Sequence, residues 1–418
     1  MPIPAHWQIV ELKSITDSIQ YGYTESSSYE IVGPKFLRIT DIQDNKVNWD
    51  EVPYCKIDNE NKSKYLLKDG DLVFARTGAT VGKSFLIKGD IPEAVFASYL
   101  IRVRVNKEIN EKYLSYFFHS LNYWSQITKG QVGIGQPNVN GTKLGQLKIS
   151  IAPIEEQKLI VSKIEELFSE LDKGVENLKT AQQQLKVYRQ SLLKAAFEGK
   201  LTNENVKGGE LPKGWKWVKS GDIILTINNG YTPKKEFLFE GKGEIPFIKV
   251  YNLNFDGTLN FKKNPTFIPI SIHSKELKRS ICLPGDVLIN IVGPPLGKVS
   301  IVSSQYPEWN INQAIVLFRP NANILSKFIS YYLQNPVTIN WLENTSKATA
   351  GQWNVKVSTC REIPIPLPPI KEQLLIIDLL ESRLTICDKM EESISQSLLQ
   401  AETLRQSVLK RAFEGRLV

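Results

Sequence analysis

Cysteine and histidine are scarce in this chain. Its 418 residues include four cysteines, Cys55, Cys282, Cys360 and Cys387, with no CxxC pair, and three scattered histidines, His6, His119 and His273. A disulfide framework, a cysteine-built zinc site and a histidine metal cluster are therefore not expected. Uncharged apolar runs are short as well, and none approaches the ~18 residues that a membrane span requires. The first residues, MPIPAHWQIVELKS, carry neither a basic n-region nor an apolar h-region, so no secretory signal is expected. These absences predict a soluble, cytoplasmic protein with no membrane partner and no metal of its own. What is present, 42% apolar and 23% charged residues, is a globular composition and excludes disordered, collagen-like and purely coiled-coil chains. The length suits two to three domains, each able to bury a core.

Catalytic motifs are also lacking. GATVGKS at 78–84 is one residue short of a phosphate-binding loop, with only Ala79, Thr80 and Val81 between its glycines. Its counterpart GPPLGKV at 293–299 lacks the hydroxyl residue that holds magnesium. The Gly–x₃–Gly–Lys pattern reads instead as a hairpin turn that leaves Lys83 and Lys298 able to meet phosphate. Asn335–Pro336–Val337 departs from the motif of adenine methyltransferases, and no glycine-rich cofactor loop precedes it. Glu–x–Lys triplets at Glu11/Lys13, Glu240/Lys242 and Glu276/Lys278 could be nuclease fragments, but none is paired across the chain. The adjacent carboxylates Glu155/Glu156, Glu165/Glu166 and Glu391/Glu392 read as solvated helix faces. No catalytic residue is expected, and no cofactor is expected on this chain.

The chain repeats itself. PAHWQIV at 4–10 resembles PKGWKWV at 212–218, and GYT at 22–24 recurs at 230–232. GDLVFARTGATVGK at 70–83 matches GDVLINIVGPPLGK at 285–298, and GQPNV at 135–139 matches GQWNV at 351–355. PIEEQ at 153–157 matches PIKEQ at 369–373, and SLLKAAFEGKL at 191–201 shares 8 of 11 positions with SVLKRAFEGRL at 407–417. The order is kept, and the offset drifts only from 208 to 216. Two copies of one unit account for the whole chain.

Each copy has two parts. The first mixes strand-like alternation (72–76, 95–105, 314–319) with short helical stretches (113–127, 327–335). The second, 155–198 and 371–414, is free of proline after a proline-rich lead-in, and should be one helix of ~66 Å at ~1.5 Å per residue. In the first helix Ile164, Leu171, Leu178, Leu185 and Leu192 recur every seven residues. The second offers Leu380, Cys387, Ile394, Ala401 and Val408. A narrow seam of this kind pairs helices, and two like copies in one chain favour a pseudo-twofold, antiparallel pairing. The expected fold is α+β: two tandem globular domains, 1–152 and 201–368, joined by two long antiparallel coiled-coil helices, 153–200 and 369–418. The helices would act as a ruler that sets the spacing of two similar surfaces.

Charge suggests what those surfaces meet. Of the net +8, residues 201–370 carry +7 and residues 1–150 carry +2, while the helical parts are near neutral. Lys234, Lys235, Lys262, Lys263, Lys275, Lys278 and Arg279 crowd the second domain. Basic domains with Tyr, Asn and Gln in their loops suit phosphate contact and base-edge readout.

The layout resembles the specificity (S) subunits of type I restriction–modification systems. The resemblance spans nearly the whole chain and rests on GDLVFARTGATVGK and its partner, the GQPNV/GQWNV pair, the PIxEQ helix starts and the paired LLKxAFEGxL endings. It implies two target-recognition domains, each reading part of a split double-stranded DNA sequence, and a helical spacer between them. It also implies two methyltransferase (M) subunits as partners and, in the full complex, two restriction (R) subunits. Those partners would supply adenine methylation with S-adenosylmethionine, and cleavage driven by ATP with magnesium. The second copy departs from the family at IVGPPLG, 291–297, where the first copy keeps Arg76 and Thr77.

Residues identical in both copies cannot encode two different half-sites. Gly22/Gly230, Gly78/Gly293, Lys83/Lys298 and Gln136/Gln352 should build the fold or position phosphates. Readout should lie in divergent stretches: 25–34 against 233–245, 43–66 against 254–281, and 120–134 against 336–350. The residues expected near DNA are Tyr23, Thr24, Arg38, Arg76, Lys83, Gln136 and Asn138 in the first domain. In the second they are Tyr231, Thr232, Lys249, Asn290, Lys298, Gln352 and Asn354. The rival readings are an RNA-binding or protein-assembly scaffold of the same build, and a standalone enzyme, which the missing motifs disfavour.

Overall fold

The structure, a computed structural model, describes residues 3–43, 45–78, 80–129, 139–203, 206–207, 209–346, 348–349 and 352–418. Two compact units divide the chain: Met1–Lys179 with Ser395–Val418, and Thr180–Ile394.

The first unit is built on a four-stranded antiparallel sheet in the order Thr16–Tyr21, Leu100–Val105, Leu72–Ala75, Ser84–Leu86. The second has the same sheet in the same order, Ile224–Asn229, Ile315–Pro320, Val287–Asn290, Val299–Ile301. Even the irregularity near the start of the first strand recurs, between Thr16 and Ser18 and between Ile224 and Thr226. The sheet is held at its other end by one buried carboxylate per unit. Asp71 receives Arg104 (2.6 Å), and Asp286 receives Arg319 (2.9 Å).

Two sequence readings need correction. Residues 95–105 are two strands rather than one. Ala94–Phe96 runs parallel to Lys35–Leu37, the chain then turns at 97–99, and Leu100–Val105 joins the main sheet. Continuous hydrophobicity concealed the turn because both strands are buried. Residues 113–127 likewise split into Glu111–Phe117 and Leu121–Lys129, where the Ser120 hydroxyl accepts the Tyr123 N–H at 3.3 Å and starts the second helix. The units differ most beside the small parallel pair. The second extends its pair, Ile245–Ile248 with Asn310–Ile311, by two further strands, Thr266–Ile268 and Phe239–Glu240.

The long helices run Ile154–Phe197 and Ile370–Phe413, 44 residues each. Both begin on a buried glutamine that ties helix to domain. Gln157 donates to Ala152 O (2.8 Å) and accepts from Asn110 N (2.9 Å). Gln373 donates to Pro368 O (3.0 Å) and Asn323 O (2.9 Å) and accepts from Leu325 N (2.9 Å). Both end on a glycine of positive φ, Gly199 (75°) and Gly415 (69°). There Lys200 N reaches Ala195 O (2.9 Å) and Arg416 N reaches Arg411 O (2.8 Å), the closure that a left-handed glycine permits.

Each helix starts on the domain that precedes it in the chain and ends on the other. Phe197 packs edge-on to Phe328 (5.2 Å) and Tyr332 (5.0 Å) in the second unit. Phe413 packs edge-on to Tyr113 (5.0 Å) and Phe117 (5.3 Å) in the first. Inside each unit the two helices are antiparallel. In the first, Val408, Leu409 and Ala412 share a core with Ile160, Val161 and Ile164, and Arg405 pairs with Asp172 while lying 4.3 Å from the Phe168 ring centre. In the second, Leu192 and Ala196 share a core with Ile376, Ile377 and Leu380, and Arg189 pairs with Asp388 and Glu391. Along the seam, Ile164, Leu192, Leu380, Cys387 and Val408 are buried, and Leu171, Leu178, Leu185, Ile394 and Ala401 are half-buried. The apolar residues that alternate with them are mixed: Ile160 and Ile376 are buried, Leu167, Ala181 and Ala195 half-buried, and Tyr188, Met390 and Leu404 exposed.

Candidate nucleic-acid interface

The main sheet brings distant sequence to one end. In the first unit Tyr21 pairs with Ile101, Ala75 with Leu100 and Phe74 with Ser84. The chain therefore leaves the sheet at Gly22–Tyr23, returns at Tyr99, leaves again at Arg76 and returns at Lys83, all at the same end. Arg38 joins them, because Ala97 N donates to Leu37 O at 2.9 Å while Tyr23 bridges to Ala97. The second unit gathers Tyr231, Thr232, Lys249, Asn290 and Lys298 in the same way: Asn229 pairs with Val316, Asn290 with Ile315 and Ile289 with Val299. Asn312 N, which donates to Ile248 O at 3.1 Å, places Lys249 there.

The shared residues make the frame. A Cβ at Gly22 would lie 2.1 Å from Ala97 O, and one at Gly230 would lie 2.0 Å from Ile311 O, so only glycine lets the strand end pass the turn. The Gly–x₃–Gly–Lys segment closes a hairpin in both units. Corresponding hydrogen bonds recur: Arg76 N to Tyr99 O (2.9 Å) with Ile291 N to Ala314 O (2.8 Å), and Val139 N to Arg76 O (3.0 Å) with Val355 N to Ile291 O (2.9 Å).

Within this frame the expected contact residues separate. Thr24, Lys83, Tyr231 and Asn354 are exposed. Tyr23 is half-buried, 5.3 Å from the Tyr65 ring. The Lys298 ammonium lies 5.7 Å from the ring centre of exposed Phe255, and the Lys249 ammonium 5.8 Å from that of Tyr251. Thr232 donates to Gln313. Arg38 is already engaged. It grips Asp41 through Nε (3.1 Å) and Nη2 (2.7 Å), and the carboxylate holds its guanidinium above the usual range. Lys249 faces Asn252 in the matching position and carries no such ion pair there.

Asn290 is a correction. It is only 2% exposed, donates to Val292 O (3.3 Å) and Pro295 O (3.0 Å), and accepts from Lys298 N (2.9 Å). It braces the hairpin from inside and has no free edge for a base. Gln136 and Asn138 lie outside the described residues; Gln352 lies in the strand Gln352–Trp353. Sequence reasoning missed Tyr99, 61% exposed at the turn, because it fell inside a presumed continuous strand. It missed Tyr21 and Phe255 because neither falls in a matched motif. The basic cluster, Lys234, Lys235, Lys262, Lys263, Lys275, Lys278 and Arg279, is exposed throughout.

Among the described residues no group of His, Cys, Asp and Glu could hold a metal ion. No helix among them is long and apolar enough to cross a membrane. All four thiols are buried, and burial pushes Cys55 up to about 11 and Cys360 up to about 12.

Fold and site together define a duplicated recognition module: one frame presented twice with different side chains. Residues 4–180 and 212–400 both match the family model of the type I restriction modification DNA specificity domain. The chain belongs to that family, as a specificity subunit of a type I restriction–modification system. It is similar over 99% of its length to the putative MjaX specificity subunit of Methanocaldococcus jannaschii, at 27% identity and 94% of that protein. The EcoKI specificity subunit of Escherichia coli K12 is 24% identical over 99% of this chain and 90% of its own. Two solved chains share the fold. One, from work on complex assembly and conformational transition of the type I R-M system, has a TM-score of 0.78 at 20% identity over the full length of both. The other, the HsdS subunit from Thermoanaerobacter tengcongensis, has a TM-score of 0.59 at 20% identity, covering 99% of this chain and 98% of its own. The scaffold reading with an RNA or protein partner is not favoured by these relatives.

Proposed function

We propose that the chain reads a split double-stranded DNA target, one half-site per unit, and performs no chemistry itself. The observation that carries this reading is the duplicated sheet end. A frame of the same strand order and pairing presents Tyr23, Arg76 and Lys83 in one unit and Tyr231, Ile291 and Lys298 in the other. Shared lysines suit phosphates, which fix register, and the differing side chains suit two different base sequences.

In this reading the partners are two methyltransferase subunits and, in the restricting complex, two restriction subunits. S-adenosylmethionine, ATP and magnesium belong to them, and the assembly works in the cytoplasm. Twofold repetition of an exposed apolar position supports two copies of one partner. Leu159 and Leu375, at matching places in the second turns of the two long helices, are both exposed.

Co-expression with the methyltransferase subunit and single-molecule mapping of methylated adenines tests the reading. A motif in two parts, separated by a fixed run of unspecified bases, is expected. Absence of methylation from a folded complex supplied with cofactor would remove it, and a continuous motif would remove the two half-sites.

A further inference from the structure

The two sheet ends differ at three places gathered around position 76. Position 76 is hydrogen-bonded through its backbone to position 99, and its side chain lies against position 21. The first unit has Tyr21, Arg76 and Tyr99 there; the second has Asn229, Ile291 and Ala314. The bond from Arg76 N to Tyr99 O recurs as Ile291 N to Ala314 O, so the backbone pairing at this point is common while the side chains change.

Arg76 is unusual among the basic residues at this end. Its guanidinium centre lies 5.0 Å from the Tyr21 ring centre. Tyr21 is itself held, its hydroxyl accepting Gly141 N at 2.9 Å. The Nε of Arg76 is buried and has no hydrogen-bond partner among the described residues. Arg38 has Asp41 and Arg104 has Asp71, whereas Arg76 enters no ion pair among the described residues. Ile291, at the same place, is buried in its unit's core, so the stem of Arg76 fills an apolar position while its head extends over Tyr21. A guanidinium laid on an aromatic face, with no ion pair among the described residues, can turn its terminal nitrogens to an acceptor pair that arrives with a ligand.

We propose that Arg76, laid on Tyr21 and flanked by exposed Tyr99, is the base-reading cation of the first half-site, and that the second half-site is read without a counterpart. The inference rests on the DNA-reading function proposed above. The acceptor pair it fits is O6 and N7 of a guanine in the major groove, which takes the guanidinium fork through two parallel hydrogen bonds.

The test maps methylation by the co-expressed complex for the wild type, Arg76→Ile (the residue of the second unit), Arg76→Lys and Tyr99→Ala. Arg76→Ile should relax discrimination about tenfold at one base pair of the first half-site, leaving the second half-site unchanged. Arg76→Lys keeps the charge but loses the fork, and should relax the same base pair. Tyr99→Ala, at an exposed position, should weaken that preference without lowering the thermal midpoint. A motif unchanged at every position, with affinity lowered equally for all sequences and a salt slope smaller by about one, would make Arg76 a phosphate contact and overturn the proposal. Relaxation in both halves would also overturn it, by exposing a purely structural role. If the wild type yields no motif, the DNA-reading function fails and the proposal with it; a wild-type motif that the variants leave intact sinks the proposal alone.

Discussion

At the scale of single residues, repetition separates structure from recognition. Gly22 and Gly230 recur because a methyl group would strike a backbone oxygen. Gly230→Ala should therefore destabilise the second unit by about 1–3 kcal/mol through overpacking, measured by urea unfolding. Gln157 and Gln373 recur because each satisfies buried backbone groups at the foot of a long helix. Gln373→Ala strands the Leu325 N–H and two carbonyls, and should cost about 2–3 kcal/mol in the same measurement. The cysteines behave oppositely. They are not matched between copies, yet all are buried, and burial raises every thiol above its ordinary range. Ellman titration of the native protein at pH 8 should find all four unreactive, with four equivalents released in denaturant. A fast-reacting native thiol would contradict that burial.

At the scale of elements, the long helices were the most legible part of the sequence. A heptad seam between a proline-rich start and a glycine end specifies a helix with local information alone. The seam holds as a stripe, but the core positions between its members divide: Ile160 and Ile376 are buried, while Tyr188, Met390 and Leu404 are exposed. Periodicity reports a face without reporting how wide the partner is. Strand boundaries were less legible. The turn at 97–99 is set by pairing with Leu37 and Tyr23, 60 and 74 residues before Ala97 in sequence, and no local pattern encodes it. The interface was legible only in part for the same reason. Tyr23, Arg76 and Lys83 could be chosen by repeat matching, but their meeting at one sheet end depends on strand order. Asn290 was misplaced because a loop asparagine and a buried brace look alike in sequence. The seam itself is testable. Leu380→Asp buries a carboxylate among Leu192, Ile376 and Ile377 and should lower stability by about 3–5 kcal/mol. Arg405→Ala removes a partly exposed pair with Asp172 and should cost about 1 kcal/mol or less. Similar losses in the two variants would mean that the seam is not what joins the helices.

At the scale of the whole molecule, the repeat makes recognition modular, and modularity has a measurable form. Each unit carries its own cores and its own sheet end, so the residues that differ between half-sites are confined to one unit at a time. Exchanging residues 1–150 for the corresponding domain of a relative should change one half of the methylated motif and leave the other half and the gap alone. The gap should follow the helices instead, since neither sheet end lies within Ile154–Phe197 or Ile370–Phe413. Salt separates this reading from generic adhesion. The exposed lysines of the second unit suit phosphate contacts under the proposed function, and a complex making about six of them loses on the order of 10³-fold in affinity between ~50 and ~200 mM salt. Base readout adds a term that salt does not remove, so the ratio of specific to nonspecific binding should survive the titration while both affinities fall. A flat salt response would remove the phosphate contacts, and a ratio that collapses toward one would leave a basic surface with no sequence to read.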